Sequence, residues 1–227
     1  MSGSPCPGIN PTDLQARSGP ARTKQFSEVT PHLDGAGVID AVGAVVLAAR
    51  GAGAVGHAVI QLARWAGATG ISTVSGPDKA RLAAAAGAHH VVDYREGDPA
   101  AEIRGIAPDG VDLVAEVALG VNLALDLAVL RARGTIATYA NEGGRPVELD
   151  VTRHLVLNTR LQFLVLYTAG PQVRTAAAED VAAALRDGAL PVGEEHGLPL
   201  TRFPLHRTAD AHRAVESGTV GKVVVDM

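Results

Sequence analysis

A single cysteine, Cys6, in 227 residues leaves no intramolecular disulfide and no thiolate zinc cluster to be built, which suits a reducing, cytoplasmic setting. Aromatic residues make up only 3% of the chain, so no stacking platform for a planar substrate can be read from composition. Cations are not in excess: 20 Lys and Arg face 24 Asp and Glu, a net charge of −4 that gives no electrostatic reason to expect nucleic acid or an anionic membrane as partner. No apolar run reaches membrane-spanning length, and Met1-Ser2-Gly3-Ser4-Pro5-Cys6-Pro7-Gly8 lacks the basic segment and apolar core of a signal peptide. What the chain has instead is a 47% hydrophobic composition and 26 glycines. That is enough apolar matter for one substantial core.

The glycines are most informative at Gly51-Ala52-Gly53-Ala54-Val55-Gly56. This run follows the apolar stretch Ala44-Val45-Val46-Leu47-Ala48-Ala49 and opens an amphipathic segment over residues 57–65. Strand, glycine turn and helix in that order form a dinucleotide-binding unit. Gly51 permits the tight turn, Gly53 lets the backbone approach a pyrophosphate, and Gly56 lets helix pack on strand, so that the N–H groups of Ala54 and Val55 face the anion. A strand-to-helix turn with no ligand is the alternative.

Apolar strands and Ala-rich helices then alternate to about Gly188. The pattern predicts strands over 71–74, 89–93, 111–117, 135–139 and 161–167, and helices from Pro77, from Pro99, over 121–131 and over 173–186. With the first strand this makes a six-stranded, doubly wound parallel α/β sheet over residues 44–188. Residues 1–43, with a short strand at Val38-Ile39, and residues 189–227, with a helix over 209–216 and a strand over 222–226, are too small for separate cores. They are expected to pack together as a small second domain, with a ligand cleft between it and the sheet.

Past the second strand, where a NAD-selective fold carries an acid for the ribose hydroxyls, the chain reads Val74-Ser75-Gly76. Ser75 can donate a hydrogen bond and Lys79 supplies a positive charge, weakened by Asp78, which favours NADPH. His89 and His90, adjacent on a strand, point to opposite faces and share no metal; His57 reads as structural. The Tyr-x-x-x-Lys pair of short-chain dehydrogenases is absent, since Asp98, Gly143 and Pro171 stand four places after Tyr94, Tyr139 and Tyr167.

Several motifs resemble one family in order. Gly8-Ile9-Asn10-Pro11-Thr12-Asp13, Arg17-Ser18-Gly19, Asp34-Gly35-Ala36-Gly37-Val38-Ile39, Val42-Gly43, the glycine turn, Gly87-Ala88, Asp93-Tyr94-Arg95 and Gly221-Lys222-Val223-Val224-Val225 are similar to the zinc-free quinone oxidoreductase (zeta-crystallin-like) branch of the medium-chain dehydrogenase/reductases. The resemblance implies a Rossmann sheet plus a GroES-like barrel remnant, since the family's barrel continues past Val42-Gly43 whereas here Ala44 starts the strand at once. It implies NADPH-dependent reduction of a quinone or α,β-unsaturated carbonyl, without zinc: Leu33 stands at the ligand histidine's place and cannot coordinate a metal.

By the same resemblance Ser75, Lys79 and Tyr94 hold the 2′-phosphate, while Val117, Ala118, Tyr139 and Asn141 line the nicotinamide and its ribose. Asn10, in the family's Asn-Pro motif, is the candidate for the substrate carbonyl or carboxamide, and Tyr167 a candidate proton donor or cleft wall, or else a subunit-contact residue. Arg50, where the family has a small residue, either contacts phosphate or obstructs its approach. The apolar segment over residues 161–166 is expected to pair across a homodimer. A cyclase or isomerase on the same fold, or a non-catalytic NADP-binding protein, remain alternatives.

Overall fold

A computed structural model of the protein describes residues 43–226 except 142, 143 and 145. The strand expected at Val38-Ile39, Asn10 and Leu33 lie outside the described residues. Strands β1 (Val45–Ala49), β2 (Thr69–Val74), β3 (His90–Asp93), β4 (Val111–Glu116), β5 (Leu130–Thr138) and β6 (Arg160–Phe163) form one parallel sheet in the order β3-β2-β1-β4-β5-β6. The order reverses between β1 and β4, so a crevice opens there at the carboxyl ends of the strands.

Alternation along β1 shows why helices cover both faces. Leu47 points into a cluster with Ile71, Val114 and Ile136, packed by Ile103 of α3 (Pro99–Ile106) and by Leu119, Leu123 and Leu127 of α4 (Leu119–Val129). Val46 and Ala48 point the other way, onto α1 (Ala54–Trp65) and α2 (Pro77–Ala85), through Ala63, Ala66, Ile60 and Ala83. A period of two on a strand with apolar residues at every position is what burial on both faces requires.

Several predicted boundaries move, two of them for reasons the contacts show. The helix expected over 121–131 stops at Val129, because the Arg104 guanidinium donates to the carbonyls of Ala128 (2.9 Å) and Leu130 (3.2 Å) and satisfies the orphan groups of the helix end. Leu130 then pairs with Val111 as the start of β5, and Arg131 meets Asp112 at 2.5 Å. The strand expected over 161–167 ends at Phe163, since its partner β5 ends at Thr138 and no further ladder is available. Tyr167 therefore lies on a 3₁₀ turn, Leu166–Thr168.

The pattern also missed α5 (Val151–Leu157), whose cap Asp150 accepts from the Arg153 N–H at 3.1 Å and which ends on left-handed Asn158. After α6 (Pro171–Arg186) the chain forms β7 (Leu200–Pro204), α7 (Thr208–Glu216) and β8 (Lys222–Asp226). β7, also missed, pairs in parallel with β8 as a separate two-stranded sheet. No helix among the described residues is long and apolar enough to cross a membrane.

Candidate functional site

The glycine turn is built by close approach. At the end of β1 the left-handed residue is Arg50 (φ 57°), not a glycine. Gly51 is required for a different reason: a Cβ there would lie 1.9 Å from Ser72 Oγ and 2.7 Å from Ile60 Cδ1. Gly56 is tighter still against backbone, with a Cβ 2.4 Å from the Arg50 carbonyl oxygen. The turn is thus folded onto the first turn of α1. Gly53 caps α1 without any side chain, and its carbonyl receives the first helical hydrogen bond, from His57 N–H at 2.8 Å. Helix geometry leaves the N–H groups of Ala54, Val55 and Gly56 without intrahelical acceptors, in a helix with no acid in its first turn. An anion suits that place.

Directly beside the turn lies a cavity of about 410 Å³ lined by Arg50, Gly53, Ser75, Lys79, Tyr94 and Gly221, among others. The three residues expected at a 2′-phosphate therefore share one cavity with the turn expected at a pyrophosphate. Lys79 Nζ donates to Ser75 Oγ at 2.9 Å, which fixes the lysine over the end of β2. Arg50 faces this same space. The far wall comes from the C-terminal segment, where Gly221 bridges to Gly53 and Val215, Gly218, Thr219 and Val220 complete the lining. Sequence reasoning did not place these residues at the site; the Gly221-Lys222 motif was the available signal.

The second half of the expected site surrounds β4 and β5. Glu116, fully buried, accepts from the N–H groups of Val117 (2.7 Å) and Ala118 and from Asn122 Nδ2 (3.0 Å). It thereby holds the turn that carries Val117 and Ala118 to the start of α4. Ala118 bridges to Asn141, whose Oδ1 accepts from Gly120 N–H at 3.1 Å, and the Tyr139 N–H donates to the Glu116 carbonyl at 3.1 Å. Val117, Ala118, Tyr139 and Asn141 are thus tied together at the sheet's switch point. Burial first, and the Glu116 carboxylate second, push the Tyr139 hydroxyl up to about 12, with Arg50 acting weakly the other way. Tyr139 keeps its proton throughout the ordinary pH range.

Beneath the turn, Asp126 of α4 lies beside Glu116, 1% exposed and with its Oδ2 reaching no hydrogen-bond partner. Burial, then the neighbouring Glu116, raises its pKa well above the usual range. Neither Glu116 nor Asp126 was singled out from sequence, where an acid in a strand and an Asp in a helix look like solvent-facing residues. His57 proves buried, its Nε2 donating to the His196 carbonyl at 2.8 Å; this anchors the 3₁₀ turn Glu194–His196 on α1, the structural role expected of it.

Tyr167 is 89% exposed and Asn10 is outside the described residues, so neither is brought to the turn or cavity by the described structure. Val55 and Val121, in the first turns of α1 and α4, leave apolar side chains 49% and 55% exposed on either side of the crevice. Among the described residues no group of three or more His, Cys, Asp or Glu is placed to hold a metal ion.

Comparison with known proteins agrees with this geometry. The family profile described as zinc-binding dehydrogenase matches residues 54–183. A 2-haloacrylate reductase from a Burkholderia species is 31% identical over 185 residues, covering 81% of this chain and 55% of the relative. A quinone oxidoreductase from Sus scrofa is 26% identical over 186 residues, covering 81% and 54%. The solved structure of a mycobacterial protein complexed with NADPH superimposes with a TM-score of 0.68 at 31% identity, over 81% of this chain and 56% of that one. The chain spans about half the length of these relatives.

Proposed function

Because the chain belongs to the zinc-binding dehydrogenase family, in the quinone oxidoreductase branch of the medium-chain dehydrogenase/reductases, we propose that it binds NADPH at the glycine turn and reduces a quinone or α,β-unsaturated carbonyl without a metal. The observation that carries this reading is the single cavity joining Gly53 to Ser75, Lys79 and Tyr94. One end supplies unpaired helix N–H groups for a pyrophosphate, and the other a hydroxyl donor and a cation where an NAD-selective fold would place an acid.

The residues present fit the cofactor. The uncapped N-terminus of α1 opens from the turn, and Gly53, with no side chain, leaves its backbone open to the approach of a phosphate. When bound, the nicotinamide supplies a hydride to an electron-poor carbon. The chain's own part is to orient and exclude water. Val55 and Val121 offer apolar surface on each side of the crevice, and Glu116 fixes the turn that carries Val117 and Ala118. Tyr139, held neutral, retains a hydroxyl proton that can be donated to an oxygen. Asn10 remains the proposed amide donor to the substrate carbonyl. Residues 1–43 and 189–227 are proposed to form a small second domain beside the crevice.

A titration of the full chain with NADPH and with NADH, followed by nicotinamide fluorescence before and after adding phenanthrenequinone, tests the reading. NADPH is expected to bind at least about tenfold more tightly, a difference of about 1.4 kcal/mol, and to be oxidised when quinone is added. Binding without oxidation would point to another reaction on the same fold or to a non-catalytic NADP-binding protein. Absence of binding would leave the turn merely structural.

We also propose that the protein works as a cytoplasmic homodimer joined at β6. This strand is the sheet's edge, and Phe163, Val165, Leu166 and Tyr167 are 66%, 56%, 63% and 89% exposed along and just beyond it. An apolar edge invites pairing with a second copy, and Tyr167 belongs there as a contact residue. Sedimentation at micromolar concentration is expected to show a dimer, and Phe163→Asp with Val165→Lys a monomer that still binds NADPH.

A further inference from the structure

A second cavity, of about 340 Å³, adjoins the first and shares Ser75, Lys79 and Val220 with it. Its wall adds two charged groups that the reading above does not use, Arg81 and Glu194, paired at 3.6 Å with side chains 65% and 67% exposed. We propose that Arg81 is a specificity-determining residue for NADPH: a second cation for the ribose 2′-phosphate, which Glu194 holds when no phosphate is present. This rests on the NADPH reading and names a residue that the family resemblance did not supply.

Charge balance favours it. A phosphate monoester carries about −1.5 to −2 charges near neutrality. Lys79 brings one positive charge, yet Asp78, beside it at the start of α2, and Glu194 across the cavity bring two negative ones. Even with Arg50 on the wall of the first cavity, two cations only match these two carboxylates, which leaves the locale little more favourable to a phosphate than to a hydroxyl. Arg81 restores the balance, and its planar fork can take two phosphate oxygens at once, which a lysine ammonium cannot. Releasing it costs little, because an ion pair between two exposed groups is weak and a phosphate outbids a single carboxylate.

Glu194 does not leave when Arg81 turns. Its 3₁₀ turn is pinned to α1 by the buried His57, through the His196 carbonyl at 2.8 Å. A carboxylate therefore remains beside the bound phosphate and opposes it. Arg81 and Glu194 accordingly have opposite predicted effects.

Titration of the full chain and its variants with NADPH and NADH by nicotinamide fluorescence, at low ionic strength, tests this. Arg81→Gln is expected to weaken NADPH binding about tenfold while changing NADH by less than about twofold. Glu194→Gln is expected to tighten NADPH about two- to fivefold with NADH unchanged. Both side chains are exposed, and melting temperatures within a degree or two of the parent protein will show that the fold is kept. If Arg81→Gln retains the parent's preference for NADPH while Lys79→Gln abolishes it, the inference is overturned and the NADPH reading stands. If the parent shows no preference between the two dinucleotides, both fall.

Discussion

Gly56→Ala is expected to destabilise the protein by about 2–4 kcal/mol and to abolish dinucleotide binding, whereas Gly53→Ala is expected to spare the fold and lose binding alone. The two glycines belong to one motif but answer to different constraints. A Cβ on Gly56 would meet the Arg50 carbonyl oxygen at 2.4 Å, its carbon at 2.8 Å and Gly51 Cα at 2.9 Å, all backbone atoms at the end of a buried strand. None of them can rotate away, so α1 must separate from β1 and carry Ile60 and Ala63 out of the core. At Gly53 the backbone (φ −88°, ψ 159°) suits any residue, and the nearest obstacle to a Cβ is 3.3 Å away. A methyl group there asks the Arg50 carbonyl to yield by only a few tenths of an ångström and occupies the space where a phosphate meets the helix N–H groups. Thermal melting together with NADPH titration of both variants separates the two cases. A Gly53→Ala protein that binds NADPH as tightly as the parent would sink the assignment of the turn as a phosphate site.

The sheet was legible because its strands obey a rule that sequence displays directly. β1 is apolar throughout, β2 to β4 are short and rich in β-branched or aliphatic residues, and Ala-rich helices separate them, a pattern that admits little besides a parallel sheet covered on both faces. Legibility failed where the deciding contact is distant in sequence. The end of α4 depends on Arg104, which lies two elements earlier, and the end of β6 on where β5 happens to stop. α5 escaped notice because its apolar residues, Leu155 and Val156 among them, are exposed and show no buried stripe.

The site divides the same way. Gly51, Gly53, Gly56, Ser75 and Lys79 are local to two strand ends, and their spacing carries their geometry. The C-terminal wall and Glu116 are invisible to spacing: Gly221 reaches Gly53 only because β8 pairs with β7 beyond the sheet, and Glu116 looks polar until β4 is placed in the middle. Arg50 shows a third limit. Sequence could say that a large residue stood before the first glycine, but not that it would adopt the left-handed conformation itself and keep its side chain at the cavity.

Asp126→Asn is expected to raise the melting temperature at pH 7–8 by several degrees and to leave it nearly unchanged near pH 4. Asp126 is buried beside Glu116, and burial chiefly, then that carboxylate, raises its pKa in the folded protein. Between its ordinary value near 3.9 and that raised value, the native state binds more protons than the unfolded chain, so stability declines as pH rises through the window. Asparagine keeps the shape, offers Glu116 a permanent donor and removes that decline; each kcal/mol regained is about 2–4 °C for a protein of this size. Glu116→Ala goes the other way, by about 3–5 kcal/mol, because it strips acceptors from two backbone N–H groups and Asn122 and leaves Asp126 buried without its partner. His57 supplies a slope of opposite sign: burial lowers its pKa below 6.5, the bond to the His196 carbonyl only partly offsetting this, so the stability it contributes is present above pH 6.5 and is lost as pH falls. Melting curves from pH 4 to 9 for Asp126→Asn and for His57→Gln separate the two, the first flattening the decline toward high pH and the second the decline toward low pH. An Asp126→Asn protein whose pH dependence matches the parent's would mean that burial beside Glu116 does not raise the Asp126 pKa as described.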